Sequence, residues 1–206
     1  LSDDNKYLLI KNKLSPRGSD SFKSIKSKYR NFRYFACHSR LIISGDKNNG
    51  SQPYITENHL LMFNGQIYNF RQLEDNYSIS KSKSDTEFLS LFFQKFPFEY
   101  CCENLQGPFS IVYFDFINNN LFIARDNFGE SPLFLKQNRD SLVITSDYSL
   151  LQNMDEIQVK NFREINNKLS ISIGFPTTEN YLKASFPPGN FQEFSLINRS
   201  IKKHNK

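Results

Sequence analysis

A cysteine thiol beside a histidine base is well suited to attack a carbonyl carbon, so the cysteines are the first candidates for chemistry. Cys37 has His38 next to it, but neighbours in a strand point to opposite faces and cannot form a pair. Cys101 and Cys102 have no histidine nearby in the sequence. The residues alone favour ordinary, partly buried thiols at all three positions. No glycine-rich phosphate loop occurs, and three scattered histidines predict no metal site.

A second chemical candidate is Asn64-Gly65, within the stretch Phe63–Phe70. An Asn-Gly pair is the strongest short signal for a β-hairpin, because both residues tolerate positive φ. The stretch therefore predicts a hairpin tip, with one strand entering from His59 and a second strand leaving. Taken alone, a plain surface turn also accounts for such a pair. Arg40 and Asp85, taken alone, favour a solvated strand charge and an acid in the first turn of a helix.

Apolar periodicity and turn formers predict the elements that must position these residues. A helix ends at Leu14, and a strand runs from Phe32 to Ile43. Its inward positions are predicted to be Phe35, Cys37, Leu41 and Ile43. Ser84 and Glu87 predict a capping box at the start of a helix that ends at Pro97. A short turn carrying Cys101 and Cys102 follows. Beyond it the sequence predicts strands at 109–116, 121–124, 132–135, 142–145, 157–159 and 169–173, a brief helix at 148–151, and a frayed tail after Phe194.

The composition is that of one β-rich globular domain. The 206 residues include 21 Phe and no Trp, and 38% of them are hydrophobic. The net charge of +5 permits contact with nucleic acid, but the aromatic residues fall in strand-like runs that indicate a core, so no nucleic-acid partner is predicted. No apolar run approaches the roughly 20 residues that cross a bilayer, so no membrane partner is predicted. Three cysteines without a framework spacing are typical of a reducing, cytoplasmic compartment.

Seven short motifs occur in an order that resembles one family. They are Arg17-Gly18-Ser19-Asp20-Ser21, His38-Ser39-Arg40-Leu41-Ile42-Ile43, Gln52-Pro53 with Phe63-Asn64-Gly65-Gln66-Ile67-Tyr68-Asn69, Ser84-Asp85-Thr86-Glu87, Leu105-Gln106-Gly107-Pro108-Phe109-Ser110, Ala124-Arg125-Asp126-Asn127-Phe128-Gly129-Glu130-Ser131-Pro132-Leu133, and Pro187-Pro188-Gly189. They resemble the type 2 glutamine amidotransferase domain of asparagine synthetase and its relatives, including asparagine synthetase domain-containing proteins. The resemblance covers about residues 14 to 191.

The resemblance implies an α+β fold of the N-terminal-nucleophile hydrolase class. In that class two stacked, mainly antiparallel sheets lie between helical layers, an αββα sandwich. The implied domain is 1–191, followed by a polar tail over 192–206. The family's first strand, which carries its nucleophile, is expected ahead of the first helix, and the sequence begins within or just before that helix.

The family's chemistry implies a role for each candidate residue. An N-terminal cysteine thiolate attacks the side-chain amide of glutamine, and its own α-amine is the base. The resemblance makes the Asn64 side-chain amide and the Gly65 backbone N–H the catalytic oxyanion donors. Arg40 would bind the substrate α-carboxylate, and Asp85 and the residue at position 66 would bind the α-ammonium. Backbone from Leu41 through Ile42 and Ile43 to Ser44 would line the pocket.

Departures from the family pattern bear on activity. Leu1 has an amine but no nucleophile, so we expect the chain as written to release no glutamate from glutamine. Gln66 stands where the family has Glu, which predicts weaker binding because a neutral hydrogen bond contributes about 0.5–1.5 kcal/mol against 1.5–3 for a charged one. Glu130 and Ser131 replace a usual basic residue, and Ser19 replaces a proline.

Two functions remain open at this point. The first is the glutaminase-like domain of an asparagine synthetase-related protein, which hydrolyses glutamine to glutamate and ammonia for the amidation of aspartate. The alternative is a catalytically inactive glutamine-binding or assembly module. The predicted partners are L-glutamine and a synthetase domain in the parent protein. No cofactor or metal is expected in this domain, since ATP and Mg²⁺ belong to the ATP-pyrophosphatase synthetase domain, whose Ser-Gly-Gly-x-Asp-Ser loop does not occur in the chain.

Overall fold

Strands of opposite direction build two stacked layers that lie between helices. The structure is a computed structural model that describes residues 3–18, 20–30, 32–41, 50–138, 141–153, 184–195 and 200–205. The helices are α1 (Asp3–Leu14), α2 (Phe70–Asn76), α3 (Asp85–Lys95), α4 (Phe98–Asn104) and α5 (Tyr148–Asn153). The strands are β1 (Ser21–Tyr29), β2 (Phe32–Arg40), β3 (Tyr54–Ile55), β4 (His59–Gly65), β5 (Phe109–Asp115), β6 (Asn120–Arg125), β7 (Phe134–Asn138), β8 (Ser141–Thr145), β9 (Asn190–Ser195) and β10 (Ser200–Asn205).

The larger layer is a six-stranded antiparallel sheet in the order β10-β9-β6-β5-β4-β3. Successive side chains of β4 alternate between its two faces. Leu61 and Phe63 pack with buried residues of α2, α3 and α4, including Phe88 and Phe92, which are fully buried. Leu60, from the opposite face, packs with Ala36 of β2. The sheet therefore separates a helix-covered core from an interlayer core.

The second layer consists of two hairpins, β1–β2 and β7–β8. Tyr29 and Tyr34 of the first hairpin make ring contacts with Phe114 of β5. Leu142 and Ile144 of β8 pack against Ile123 and Phe194 of the six-stranded sheet. Helix, sheet, sheet and helix thus follow in the order that the resemblance implies. No helix within the described ranges is long and apolar enough to span a membrane.

Helix α1 covers the outer face of the β1–β2 hairpin, where Tyr7 contacts Phe22 and Phe35 edge to face. Phe35 therefore faces α1 and is 41% exposed, while Ala36 is the residue that enters the interlayer core. Leu41 is 56% exposed. The prediction of Phe35 and Leu41 as inward positions was wrong, because the alternation of β2 is offset by one residue from the one that the apolar residues suggested.

The capping prediction for α3 is largely confirmed. The Ser84 hydroxyl accepts from the Glu87 N–H at 3.2 Å, and Phe88 and Phe92 form the buried stripe. The Glu87 carboxylate, however, accepts from the Lys83 N–H at 2.6 Å. The predicted turn around Cys101 and Cys102 belongs to α4.

Two other regions differ from the sequence prediction. The chain after Gly65 does not form a second strand but enters α2, and the partner of β4 is β5. Residues 192–206 were expected to form a polar tail, whereas β9 and β10 extend the six-stranded sheet through 190–195 and 200–205. The predicted strands at 157–159 and 169–173 lie outside the described residues.

Candidate functional site

The carboxyl end of β4 presses directly against the start of β5. Gly65 has φ +136°, and a Cβ there would lie 2.0 Å from the Pro108 carbonyl oxygen. No residue with a side chain fits this position. The Gln66 N–H donates to the same Pro108 oxygen at 2.9 Å, and the Tyr68 N–H donates to the Gln106 oxygen at 2.8 Å. The glycine thus fixes the backbone on which the predicted oxyanion donors lie.

The direction of the Gly65 N–H follows from the register of β4. In an antiparallel pair, alternate residues direct both backbone polar groups at the partner strand. Because Gln66 donates to Pro108, the even-numbered residues at this end of β4 face β5. The N–H of Gly65 therefore points away from β5, to the side of β4 on which β3 pairs with Leu60 and Leu61. Asn64 lies on the interlayer face, on the same side of the sheet as Leu60.

Arg40 is the last residue of β2, and β2 packs on the face of the six-stranded sheet that carries Asn64. Gly18 packs on its backbone so closely that a Cβ at Gly18 would lie 2.6 Å from Arg40 backbone atoms. The Asp20 N–H donates to the Arg40 oxygen at 3.1 Å. On the side-chain end, a Cβ built on Gly50 would lie 3.4 Å from both Arg40 Nη2 and Ser84. The guanidinium is therefore directed at the beginning of α3.

Asp85 is the first residue of α3, and its carboxylate is held by backbone donors. Oδ1 accepts from the Thr86 N–H at 2.8 Å, and Oδ2 accepts from the Ile67 N–H at a longer 3.4 Å. Burial raises the pKa of Asp85, while these hydrogen bonds and the charge of Arg40 act in the opposite direction. A carboxylate whose ionised form is penalised by burial is stabilised by an added cation. This position therefore favours an ammonium group.

The structure brings four of the predicted residues to one region and leaves others apart. Arg40 acts electrostatically on Asp85, and the Ile67 N–H ties Asp85 to the segment after Asn64-Gly65. Gln66 is adjacent, but its side chain is exposed. Leu41 is exposed at the end of β2. Ile42, Ile43 and Ser44 lie outside the described residues.

Two of the described thiols, those of Cys37 and Cys101, are poor nucleophiles. Burial raises the pKa of Cys37 to about 12, and Cys37 lies on the face of β2 opposite to His38 and Arg40. Burial also raises the pKa of Cys101, which is fully buried in the helix-covered core. The thiolate is the reactive form, so neither thiol is activated at neutral pH. Within the described ranges no group of three or more His, Cys, Asp or Glu side chains could hold a metal ion.

Gln52 was overlooked as a site residue by the sequence reasoning. Its side chain is buried and accepts from the Phe63 N–H at 2.5 Å, while its amide nitrogen donates to the Thr86 hydroxyl at 3.4 Å. It therefore connects β4, beside Asn64-Gly65, with α3, beside Asp85. The sequence signal was the Gln52-Pro53 pair, which carried no role by itself.

Comparison with protein families shows to which family the chain belongs. A model of the glutamine amidotransferase domain matches residues 2–202 of the 206. The chain belongs to this family. The predicted recognition of a glutamine amidotransferase domain is thus confirmed.

Relatives of the domain are asparagine synthetases. The chain is 26% identical over 197 residues to a probable glutamine-hydrolysing asparagine synthetase of Acanthamoeba polyphaga mimivirus, covering 92% of the chain and 36% of that protein. It is 31% identical over 110 residues to glutamine-hydrolysing asparagine synthetase 2 of Bacillus subtilis (strain 168), covering 52% of the chain and 15% of that protein. The chain thus spans about a third or less of these relatives.

A solved structure supports the fold. The chain is similar to the glutamine phosphoribosylpyrophosphate amidotransferase from Bacillus subtilis, with a TM-score of 0.53 and 17% sequence identity. The similarity covers 82% of the chain and 34% of that protein. The predicted αββα fold of the amidotransferases is confirmed.

Proposed function

We propose that the end of β4 and the start of α3 bind L-glutamine, with its side-chain carbonyl at Asn64-Gly65. The observation that carries the proposal is the pair of opposite charges, Arg40 and Asp85, beside a glycine whose N–H points away from β5. A zwitterionic amino acid needs a cation for its carboxylate and an anion for its ammonium, and Arg and Asp supply them. The two donors at residues 64 and 65 would then receive the amide oxygen.

The reaction that this binding would serve is hydrolysis of glutamine to glutamate and ammonia. Donors aimed at the developing oxyanion stabilise the tetrahedral intermediate, and losing one typically costs about 2.7–4 kcal/mol of the barrier. Burial raises the pKa of both Cys37 and Cys101, so neither of them supplies the attacking thiolate of the family. In a parent protein the ammonia would amidate aspartate in a synthetase domain, and that domain would bind ATP and Mg²⁺.

A non-catalytic glutamine-binding module is the second candidate. The exposed neutral side chain of Gln66, where the family has Glu, supports it. Binding then needs only Arg40 and Asp85, and no thiolate. Both candidates predict glutamine binding by this chain, and glutamine turnover in a parent protein that carries the family's N-terminal cysteine separates them.

Calorimetric titration of the 206-residue chain with L-glutamine tests the proposal. We expect saturable binding that weakens about 10- to 100-fold in Arg40→Met and Asp85→Asn, since each removes a charged hydrogen-bond partner. Arg33→Met is the matched control, because Arg33 is an exposed residue on the opposite face of the same strand. Binding that is equally strong in Arg40→Met and Arg33→Met would contradict the proposal.

A further inference from the structure

The pairing of β4 with β3 ends before Phe63, close to the proposed glutamine site. Strand β3 pairs with Leu60 and Leu61. Phe63 has the same parity on β4 as Leu61, so its backbone polar groups also point away from β5. A buried backbone N–H in that direction needs a hydrogen-bond partner. Continuing the register of β3 by two residues places Gln52 opposite Phe63.

The side chain of Gln52 provides this partner and also reaches the neighbouring helix. Its Oε1 accepts from the Phe63 N–H at 2.5 Å, in place of a strand carbonyl. Its Nε2 donates to the Thr86 hydroxyl of α3 at 3.4 Å. All three residues are buried, so water does not compete for these hydrogen bonds. One side-chain amide therefore connects β4 with the start of α3.

The two ends of this connection lead to the two ends of the proposed glutamine site. Phe63 precedes Gly65 by two residues on the same side of β4. Thr86 follows Asp85, and its N–H donates to Asp85 Oδ1 at 2.8 Å. The separation between the Gly65 N–H and the Asp85 carboxylate therefore depends on the length and the hydrogen bonds of Gln52.

We propose that Gln52 is a positioning residue that selects the side-chain length of the amide, because it fixes the separation between the donors at Asn64-Gly65 and the carboxylate of Asp85. The inference rests on the proposed function and deepens it. Asparagine has one methylene fewer than glutamine between its α-carbon and its amide. When asparagine is bound through its ammonium and carboxylate groups, its amide oxygen falls short of Asn64-Gly65. One methylene is worth about 10- to 200-fold in discrimination.

The test is the ratio of the dissociation constants of L-asparagine and L-glutamine, measured by calorimetry on the whole chain. We expect a ratio of at least about tenfold in the wild type. Gln52→Met has a similar length but makes neither hydrogen bond, so glutamine binding should weaken about tenfold. Asparagine binding should stay within about threefold of wild type, because asparagine does not span the two ends. Gln52→Glu keeps oxygens that can accept from the Phe63 N–H and the Thr86 hydroxyl, and it should preserve the ratio.

Two variants of α3 provide a second test and a control. Thr86→Val removes only the hydroxyl that Gln52 contacts and should lower the ratio about threefold. Ser90→Ala is the matched control, because the Ser90 hydroxyl joins α3 to β4 through His59 Nε2 at 2.8 Å, away from the site. Its ratio should equal that of the wild type. Thermal unfolding of each variant establishes that binding is measured on folded protein.

The outcomes separate this inference from the function on which it rests. No glutamine binding by the wild-type chain would overturn both. Equal wild-type affinities for glutamine and asparagine would overturn the role of Gln52 alone, as would a wild-type ratio in folded Gln52→Met. If Gln52→Met does not fold, an unchanged ratio in Thr86→Val overturns it. A loss of the ratio in Ser90→Ala as large as in Gln52→Met would also overturn it, because the effect would then be a general loosening between β4 and α3.

Discussion

Replacing Gly65 with alanine is expected to destabilise the fold and displace the end of β4. An alanine Cβ would lie 2.0 Å from the Pro108 oxygen, whereas ordinary contact begins at 3.4 Å. Relief requires β4 and β5 to separate, which breaks the hydrogen bond from the Gln66 N–H to Pro108 and costs about 0.5–1.5 kcal/mol. The φ of +136° adds about 1–3 kcal/mol for a residue with a side chain.

The free energy of unfolding should therefore fall by about 2–4 kcal/mol in Gly65→Ala, measured by urea denaturation. Gly189→Ala is the control, because Gly189 also has a positive φ (+65°) but a Cβ there would come no closer than 3.4 Å to Asn127. Its cost should be limited to the left-handed backbone, about 1–2 kcal/mol. A Gly65→Ala chain no less stable than Gly189→Ala would refute the close-approach reasoning.

Three further predictions concern charge and burial. Glu74→Ala should cost about 2–3 kcal/mol in urea denaturation, because the buried carboxylate accepts from the Ser82 N–H at 2.7 Å, whereas Asp75→Ala, 70% exposed, should stay within about 0.5 kcal/mol. Burial lowers the pKa of His38 to about 4 and that of His59, so the folded state resists protonation. The free energy of unfolding should be greatest above about pH 6.5 and fall below that pH by up to about 1.4 kcal/mol per pH unit for each histidine. The fall should be smaller in His38→Asn, and equal pH slopes in His38→Asn and the wild-type chain would contradict this. Glutamine affinity should rise with pH as Asp85 ionises, over a range above that of an ordinary aspartate because burial raises its pKa, and calorimetry of Asp85→Asn should show no such rise.

Features encoded by near neighbours in the sequence were the ones that could be predicted from it. The start of α3 depends on Ser84 and Glu87, three residues apart, and the hydroxyl cap forms as predicted. The end of β4 was mispredicted as a hairpin, because Gly65 has φ +136° and pairs with Phe109 of β5. A local turn signal carries no information about a partner strand more than forty residues away.

Long-range partners also account for the residues that the sequence did not reveal. Gln52 acquires its role from Phe63 and from Thr86, which is 34 residues away. Residues 192–206 were predicted to be a polar tail, but the strand β9 that enters this segment pairs with β6. The recognition of Arg40, Asn64-Gly65 and Asp85 came from the order of the motifs, since each of these residues alone is unremarkable.

The most direct test of the glutamine site is a titration of the ¹⁵N-labelled chain with L-glutamine, followed through its amide resonances. The site described here predicts saturable shifts centred on Gly65, Ile67 and Thr86, with the same dissociation constant as calorimetry. It also predicts that Asp85→Asn weakens the shifts. Shifts centred instead on the separate cleft lined by Cys102, Ala124 and Phe191, or no shifts at millimolar glutamine, would contradict the assignment of the site.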